Sequence, residues 1–151
     1  MPHSMTHAAT LLVENLALIE RFSKPVHVLD LACGSGRNGL YLARKGIEVT
    51  FVDRNTDCLH SIGQSLRQES LPGITLALDL ETPDSNPLAG QQCNVCLVFN
   101  YLHRPLLPAI QQCVLPGGLI FYETFTVANG KFGRPSNPDF LLREQELRSN
   151  F

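Results

Sequence analysis

Three aspartates among the first 80 residues lie in, or at the end of, successive apolar segments. They are Asp30 in VLDLAC, Asp53 in IEVTFVD and Asp79 in ITLALD. A carboxylate accepts hydrogen bonds from an ammonium group, from a pair of vicinal hydroxyls or from an exocyclic amine. One solvated aspartate carries little information, whereas three in equivalent positions indicate one ligand with several hydrogen-bond donors.

A glycine-rich segment, GSGRNG, follows the first of these aspartates. Its glycines, Gly34, Gly36 and Gly39, have the spacing of a dinucleotide-binding loop. In such a loop the missing Cβ atoms allow a tight turn and let a ligand approach the backbone at the start of a helix. The spacing alone is a weak signal, because glycines can serve the turn only. An apolar segment precedes the loop and a helical pattern follows it, which favours a ligand-binding loop.

Two nucleotide ligands could explain this pattern of acids and glycines. Asp53 lies about twenty residues after the loop, where a nicotinamide dinucleotide fold places the acid that binds a ribose. Asp30, however, would repel a pyrophosphate and attract a cationic amine. Asp79 could accept from the adenine amine while the backbone N–H of Leu80 donates to a ring nitrogen. S-adenosylmethionine offers an ammonium, a ribose diol and an adenine edge without a phosphate. It is therefore the favoured ligand, with NAD(P) as the alternative.

Segments with the composition of strands alternate with helical patterns along the chain. Strands are predicted over 24–31, 47–53, 74–79, 93–100 and 119–125. Helices are predicted for the N-terminal stripe, after the glycine loop, after an Asn55 cap, within 103–115 and at the C-terminus; their apolar stripes include Leu12, Leu16, Ile19, Leu59, Ile62 and Leu66. The alternation predicts one α/β domain over residues 1–151, doubly wound, with a mostly parallel sheet of about five strands and helices on both faces.

The same fold class predicts where the site lies. Ligands bind beyond the carboxyl ends of parallel strands, where the order of the strands reverses. The loops expected to form the site are therefore 32–37, 53–55, 79–81 and 100–104.

The amino-acid composition limits the classes of partner that this protein is expected to bind. The chain has 151 residues, 44% hydrophobic and 17% charged, with a formal net charge of −2, so the basic surplus typical of nucleic-acid-binding proteins is absent. No apolar run reaches the roughly 18 residues of a membrane helix. The N-terminus lacks the basic region of a signal peptide, and five scattered cysteines do not form a disulfide framework. We therefore expect a cytoplasmic protein without nucleic-acid or membrane partners.

Two of the cysteines, Cys93 and Cys96, form a C-N-V-C pattern inside a predicted strand. Side chains three residues apart in a strand point to opposite faces of the sheet. We therefore expect neither a metal site nor a redox pair from these residues.

The sequence resembles the class I, Rossmann-like S-adenosylmethionine-dependent methyltransferases. VLDLACGSGRNGLYLA is similar to their first motif, Asp53 and ALDLE match the next two, and LPGGLIFYETF is typical of the approach to their fifth strand. Together with NYLHRPLLPAI and FGRPSNPDFLL, the pattern is similar to a small bacterial subgroup near the tellurite-resistance methyltransferases. The resemblance implies cofactor-binding roles for Asp30, Ala32, Gly34, Gly36, Asp53, Arg54, Asp79, Leu80, Asn100 and Tyr101.

The resemblance also implies the reaction, which is methyl transfer to a small-molecule acceptor. Such a reaction needs alignment and exclusion of water, and a base only where the acceptor carries a proton. His103 and Tyr101 are the candidate catalytic residues, with Glu123 as a further acid–base candidate, and Arg104 and Arg134 could attract an anionic acceptor. An NAD(P)-dependent oxidoreductase and a non-catalytic S-adenosylmethionine-binding protein are the alternatives.

One departure from the class concerns the end of the chain. The class completes its sheet with a sixth strand and an antiparallel seventh beside the fifth, whereas this sequence ends at Phe151. We therefore expect a C-terminally truncated domain that lacks the last two strands. The fifth strand would then be an apolar sheet edge. That edge, or the terminal helix, favours a homo-oligomer.

Overall fold

The computed structural model describes residues 7–128 and 133–151. Its strands are β1 (His27–Leu31), β2 (Glu48–Asp53), β3 (Gly73–Ala77), β4 (Cys93–Phe99) and β5 (Val114–Glu123). Its α-helices are α1 (Thr10–Glu14), α2 (Leu16–Glu20), α3 (Arg37–Ala43), α4 (Thr56–Gln68), α5 (Leu107–Cys113) and α6 (Glu146–Asn150). Short 3₁₀ segments cover Arg104–Leu106 and Pro138–Phe140.

The five strands form one parallel sheet in the order β3-β2-β1-β4-β5. The chain order reverses between β1 and β4, which makes the end of β1 the switch point of the sheet. Leu31, the last residue of β1, pairs with Val52 of β2 and Val98 of β4. The carboxyl ends of these strands therefore lie side by side. The predicted doubly wound α/β fold is confirmed.

Each face of the sheet is covered by helices. Along β1, Val28 packs in the cluster that contains residues of α1 to α4, and the next residue, Leu29, packs in the cluster under α5. Both clusters are buried, which explains why the strands are nearly continuous apolar runs. In α4 the predicted stripe is buried, and the Asn55 side chain caps the helix by accepting from the N–H groups of Asp57 and Cys58.

The N-terminal helix differs from the prediction. It is broken at Asn15 into α1 and α2, and the Asn15 side chain donates to the Leu11 carbonyl (2.7 Å). An asparagine that bonds to the backbone competes with continued helix formation. Leu12 and Ile19 of the predicted stripe are fully buried, so the break preserves the apolar face.

The start of β5 also differs from the prediction. The segment PGG was predicted as a turn before a strand over 119–125, whereas β5 already begins at Val114 and passes through it. A register irregularity opposite Cys93 and Val95 accommodates the extra residues. Gly118 packs so closely that a Cβ there would lie 2.6 Å from the Asn94 carbonyl oxygen.

The same irregularity makes the expectation that Cys93 and Cys96 point to opposite faces of the sheet wrong. Both thiols pack on one face of the sheet, in the cluster under α5, and both contact the thiol of Cys113. Strict alternation fails because the pairing shifts between Cys93 and Val95. No group of His, Cys, Asp or Glu among residues 7–128 and 133–151 has the arrangement of a metal site.

The outer edge of β5 carries no further strand within the described residues. An apolar groove runs beside this edge, lined by α1, α2, β5 and the C-terminal residues. The ring of Phe151 lies 6.2 Å from that of Tyr122, so the C-terminus covers part of the groove. No helix in the described part of the chain is long and apolar enough to cross a membrane.

Candidate functional site

Two adjoining cavities lie at the carboxyl ends of β1, β2 and β4. The first, of about 220 Å³, is lined by Ala32, Asp53, Arg54, Leu78, Asp79, Leu80, Glu81 and Tyr101. The second, of about 210 Å³, is lined by Asp30, Ala32, Cys33, Gly34, Ser35, Arg37, Asn38, Phe99 and Asn100. Because Ala32 lines both, the two cavities form one elongated cleft across the switch point.

Asp30 lies at the inner end of the cleft. It is 3% exposed, and its Oδ2 accepts from the N–H of Gly39 in the first turn of α3 (3.1 Å). Burial raises the pKa of this carboxyl to about 7, although the Gly39 N–H and the charge of Arg37 favour the ionised form. Asp30 therefore occupies the helix terminus at which a phosphate would bind in a dinucleotide site.

The loop after β1 presents its backbone to the cleft. Ala32 has φ +50° and Gly34 has φ +54°, a region that residues with a side chain adopt rarely. A Cβ on Gly34 would meet no atom within 4 Å, so this glycine leaves open space for a ligand. Gly36 lines neither cavity: a Cβ there would lie 2.9 Å from Ile62. The structure thus assigns Gly36 to helix packing rather than to the cavity wall.

Asp53 ties the loop to the end of β2. Its Oδ2 accepts from the N–H of Gly34 (2.8 Å) and its Oδ1 from the N–H of Asn55 (2.9 Å). Each carboxylate oxygen retains a second lone pair, and the residue lines the first cavity. Asp53 can therefore accept from hydroxyl groups of a ligand while it holds the glycine loop. Its neighbour Arg54 is exposed at the same cavity.

Asp79 and Leu80 form the wall opposite Asp53. Asp79 lies two residues beyond the end of β3, and its Oδ1 accepts from the N–H of Glu81 (2.9 Å). The backbone N–H of Leu80 donates to no atom of the described residues. The pair therefore presents a carboxylate beside a free N–H, as the sequence predicts for an adenine edge.

The loop after β4 contributes the remaining predicted residues. Asn100 has φ +56° and lines the second cavity, and Tyr101 lines the first. The hydroxyl of Tyr122 donates to the Tyr101 carbonyl oxygen (2.9 Å), which fixes this turn. His103 lines neither cavity; its Nδ1 lies 3.8 Å from Oε1 of Glu81.

Among the lining residues that the sequence did not single out, Asn38 and Glu81 make side-chain hydrogen bonds in the cleft. Asn38 is buried in α3, lines the second cavity and accepts from the N–H of Ala9 (2.8 Å), which anchors the N-terminal segment beside the cleft. Glu81 lines the first cavity and accepts from the Tyr101 hydroxyl (3.1 Å). The ALDLE motif contains Glu81, but only the fold reveals its partners in another loop.

Arg104 does not serve as a free anion-binding residue. Its Nε donates to Oε2 of Glu146 (2.6 Å), and its Nη2 donates to Oε1 of Glu146 (2.8 Å) and to the Leu141 carbonyl (2.7 Å). Glu146 is 7% exposed. The interpretation of Arg104 as a substrate attractant is therefore replaced by a structural ion pair, while Arg134 is exposed.

The sheet order, the glycine loop and the acids at its strand ends define a class. The fold is that of the class I, Rossmann-like methyltransferases, and Asp30, Asp53 and Asp79 line the cleft at the carboxyl ends of the strands. The family model for the tellurite resistance protein TehB matches residues 4–151. The chain belongs to the TehB family.

Relatives agree with this assignment. A probable S-adenosyl-L-methionine-dependent methyltransferase TehB from Haemophilus influenzae is 33% identical over 86 residues, which are 57% of this chain and 30% of that protein. The crystal structure of TehB from Haemophilus influenzae superposes with a TM-score of 0.70 at 23% identity, over 93% of this chain and 48% of the other.

A more distant structure shares the fold. Coclaurine N-methyltransferase, solved with N-methylheliamine and S-adenosylhomocysteine, has a TM-score of 0.63 at 23% identity, over 77% of this chain and 35% of that protein. The present chain spans less than half the length of each of these relatives.

Proposed function

We propose that this chain binds S-adenosylmethionine and catalyses transfer of its methyl group to a small-molecule acceptor. The observation that carries the proposal is the position of Asp30, whose carboxylate accepts from the Gly39 N–H at the start of α3. A pyrophosphate placed there would meet a carboxylate at short range and be repelled. An ammonium group would be attracted, which favours the amino-acid end of S-adenosylmethionine over a dinucleotide.

The two cavities divide the ligand between them. The second cavity, with Asp30, Gly34 and Asn100, would hold the methionine end. The first cavity would hold the adenosine, with Asp53 accepting from the ribose hydroxyls. Asp79 would accept from the adenine amine while the free N–H of Leu80 donates to a ring nitrogen.

When bound, S-adenosylmethionine supplies a methyl group that is activated by a positively charged sulfur. The protein's own residues have to align the acceptor and exclude water. Tyr101 and His103 both follow β4; Tyr101 lines the first cavity, and His103 lies just outside both cavities. They are the groups we propose beside the acceptor. Two relatives support this choice of ligand: the Haemophilus influenzae protein named a probable S-adenosyl-L-methionine-dependent methyltransferase, and coclaurine N-methyltransferase, solved with S-adenosylhomocysteine.

Label transfer tests the activity. The protein is incubated with S-adenosylmethionine that carries a deuterated methyl group and with pools of small hydroxyl, thiol and amine compounds. We expect S-adenosylhomocysteine and a labelled acceptor in at least one pool, and much less of both products with Asp53→Ala at the same concentration of S-adenosylmethionine. Binding of S-adenosylhomocysteine without label in any pool would contradict catalysis and favour a non-catalytic binding protein.

We also propose a cytoplasmic setting.

We further propose self-association through the outer edge of β5. The support for self-association is the unpaired edge within the described residues and the apolar groove beside it. Sedimentation velocity over a range of protein concentrations should show a reversible dimer. A monomer at every concentration would contradict the self-association.

A further inference from the structure

Glu81 connects two side chains of the opposite loop with the two oxygens of one carboxylate. Oε2 accepts from the hydroxyl of Tyr101 (3.1 Å), and Oε1 lies 3.8 Å from Nδ1 of His103. Glu81 follows β3, whereas Tyr101 and His103 follow β4, so this contact bridges the cleft from one wall to the other. The reaction proposed above leaves this bridge without a role.

Tyr101 is the hydrogen-bond donor in this bridge and not its base. Burial raises the pKa of its phenol well above the usual value, and the charge of Glu81 raises it further. The phenol therefore stays protonated and holds the Glu81 carboxylate in place. The Tyr122 hydroxyl holds the Tyr101 backbone to β5, so the phenol that donates to Glu81 extends from a fixed point of the loop.

The held carboxylate faces a particular nitrogen of His103. In a neutral imidazole one nitrogen carries the proton and the other carries a lone pair. A hydrogen-bond acceptor beside one of the two nitrogens favours the tautomer with the proton on that nitrogen. An acceptor oxygen near Nδ1 favours the proton there and leaves the lone pair on Nε2. The 3.8 Å separation is longer than a hydrogen bond, and such contacts often shorten when a substrate binds.

We propose that Glu81 is a positioning residue that orients His103 as the base for a methyl acceptor carrying a proton, such as a hydroxyl, thiol or protonated amine. The acceptor's bond to hydrogen breaks and its proton moves to Nε2 of His103, while the electron pair left on the acceptor atom forms the bond to the methyl group. The methyl–sulfur bond breaks, its electrons stay on sulfur, and S-adenosylhomocysteine is the leaving group. The Glu81 carboxylate stabilises the resulting imidazolium. His103 is 27% exposed, so the proton can pass to water. This inference rests on the proposed function and specifies its class of acceptor.

The tautomer of His103 tests the inference without an acceptor. Long-range ¹H–¹⁵N NMR on protein labelled with ¹⁵N-histidine distinguishes the protonated ring nitrogen from the one with the lone pair, and His103→Gln assigns the signals. At a pH where His103 is neutral we expect the lone pair on Nε2 in the wild type. In Glu81→Gln we expect the two nitrogen shifts to move toward each other or exchange order, and in Tyr101→Phe to move in the same direction by less.

Asp84→Asn is the matched control, because Asp84 is exposed in the same loop and contacts neither Tyr101 nor His103. It should leave the His103 signals unchanged. A wild-type lone pair on Nδ1, or identical shifts in Glu81→Gln and the wild type, would overturn the inference. Titration of the wild type with S-adenosylhomocysteine separates the two claims. Failure to bind would overturn the proposed function, whereas binding together with an unmoved tautomer would overturn the role of Glu81 alone.

Discussion

Among single residues, Asp30 has opposite effects on ligand binding and on stability: the ionised carboxylate would bind an ammonium group, but it destabilises the folded protein. Burial raises the pKa of its carboxyl from 3.8 to about 7. Because the pKa in the folded state is higher than in the unfolded state, the protonated carboxyl stabilises the folded protein. This stabilisation is fully present below about pH 4 and is lost as the pH rises through about 7. We expect Asp30→Asn to raise the melting temperature at about pH 8, where the wild type must bury a charge, and to have little effect at about pH 4. Thermal denaturation at the two pH values checks this, and a lower melting temperature at the higher pH would contradict it.

The same carboxyl predicts a pH dependence of ligand binding. An ammonium group requires ionised Asp30, so affinity for S-adenosylhomocysteine should fall by up to about tenfold per pH unit below the pKa of about 7. Calorimetric titrations between about pH 5 and pH 8 measure this slope. The slope should disappear in Asp30→Asn together with most of the affinity. A slope that persists in the variant would assign the titration to another group.

Asp53 can be compared with a nearby aspartate that has no part in the cleft. Asp53→Ala removes the proposed ribose acceptor and the partner of the Gly34 N–H. Asp57, exposed in the first turn of α4, lines neither cavity. A hydrogen bond to a charged group contributes about 1.5–3 kcal/mol, so Asp53→Ala should weaken S-adenosylhomocysteine by one to two orders of magnitude and Asp57→Ala hardly at all. Equal losses would exclude the ribose role.

At the scale of elements, the pair Arg104–Glu146 joins the loop after β4 to α6. Arg104 holds the pKa of Glu146 at about 2, mainly through their hydrogen bonds. The lowered pKa means that this stabilisation is present above the ordinary value of 4.5 and is lost as the pH falls toward about 2. Removing one partner of a fully buried pair costs about 3–5 kcal/mol. This pair is only partly buried, with the Arg104 side chain 28% exposed, so its loss should cost less than that.

We therefore expect Arg104→Met to destabilise the protein and to increase hydrogen exchange in α6 and residues 141–145. Arg143→Ala is the control, because the Arg143 side chain is 70% exposed and its nearest approach to a Glu146 oxygen, 3.5 Å, is longer than that of Arg104. It should cost less than about 1 kcal/mol. Unchanged exchange in Arg104→Met would mean that the C-terminal segment is held by other contacts.

Two glycines test the packing of the elements in opposite directions. A Cβ on Gly118 in β5 would lie 2.6 Å from the Asn94 carbonyl oxygen, which cannot yield because it belongs to the backbone. On Gly63 in α4 it would meet only the flexible end of Arg67 at 3.4 Å. Gly118→Ala should therefore destabilise the fold, and Gly63→Ala should stabilise it by about 0.5–1 kcal/mol through helix propensity. Urea denaturation of both variants measures the difference.

At the scale of the whole molecule, periodicity and glycine spacing were sufficient to predict the parallel sheet and the edge on which the cleft lies. Every residue predicted to bind the cofactor, except Gly36, lines at least one of the two cavities, whereas Tyr101 is the only one of the further acid–base and anion-binding candidates that does so. The three acids could be found because strand ends in this fold converge on one edge. Their assignment as ligand contacts stays a prediction.

What the sequence could not provide depends on contacts between distant segments. The Glu81 bridge and the Arg104–Glu146 pair join residues 20 and 42 positions apart, and no local pattern encodes such a partner. The irregular pairing opposite Cys93 likewise arises between β4 and β5, so alternation along β4 alone placed Cys93 on the wrong face. Asn15 interrupts an otherwise regular stripe through a side-chain hydrogen bond that periodicity does not register.

The central claim is that the cleft is built for an adenosyl ligand with an ammonium group and without a phosphate. Isothermal titration of one protein sample with S-adenosylhomocysteine and with NAD at neutral pH tests it most directly. We expect saturable one-to-one binding of S-adenosylhomocysteine and, for NAD, no heat above the heat of dilution. Binding of NAD with no binding of S-adenosylhomocysteine would contradict it.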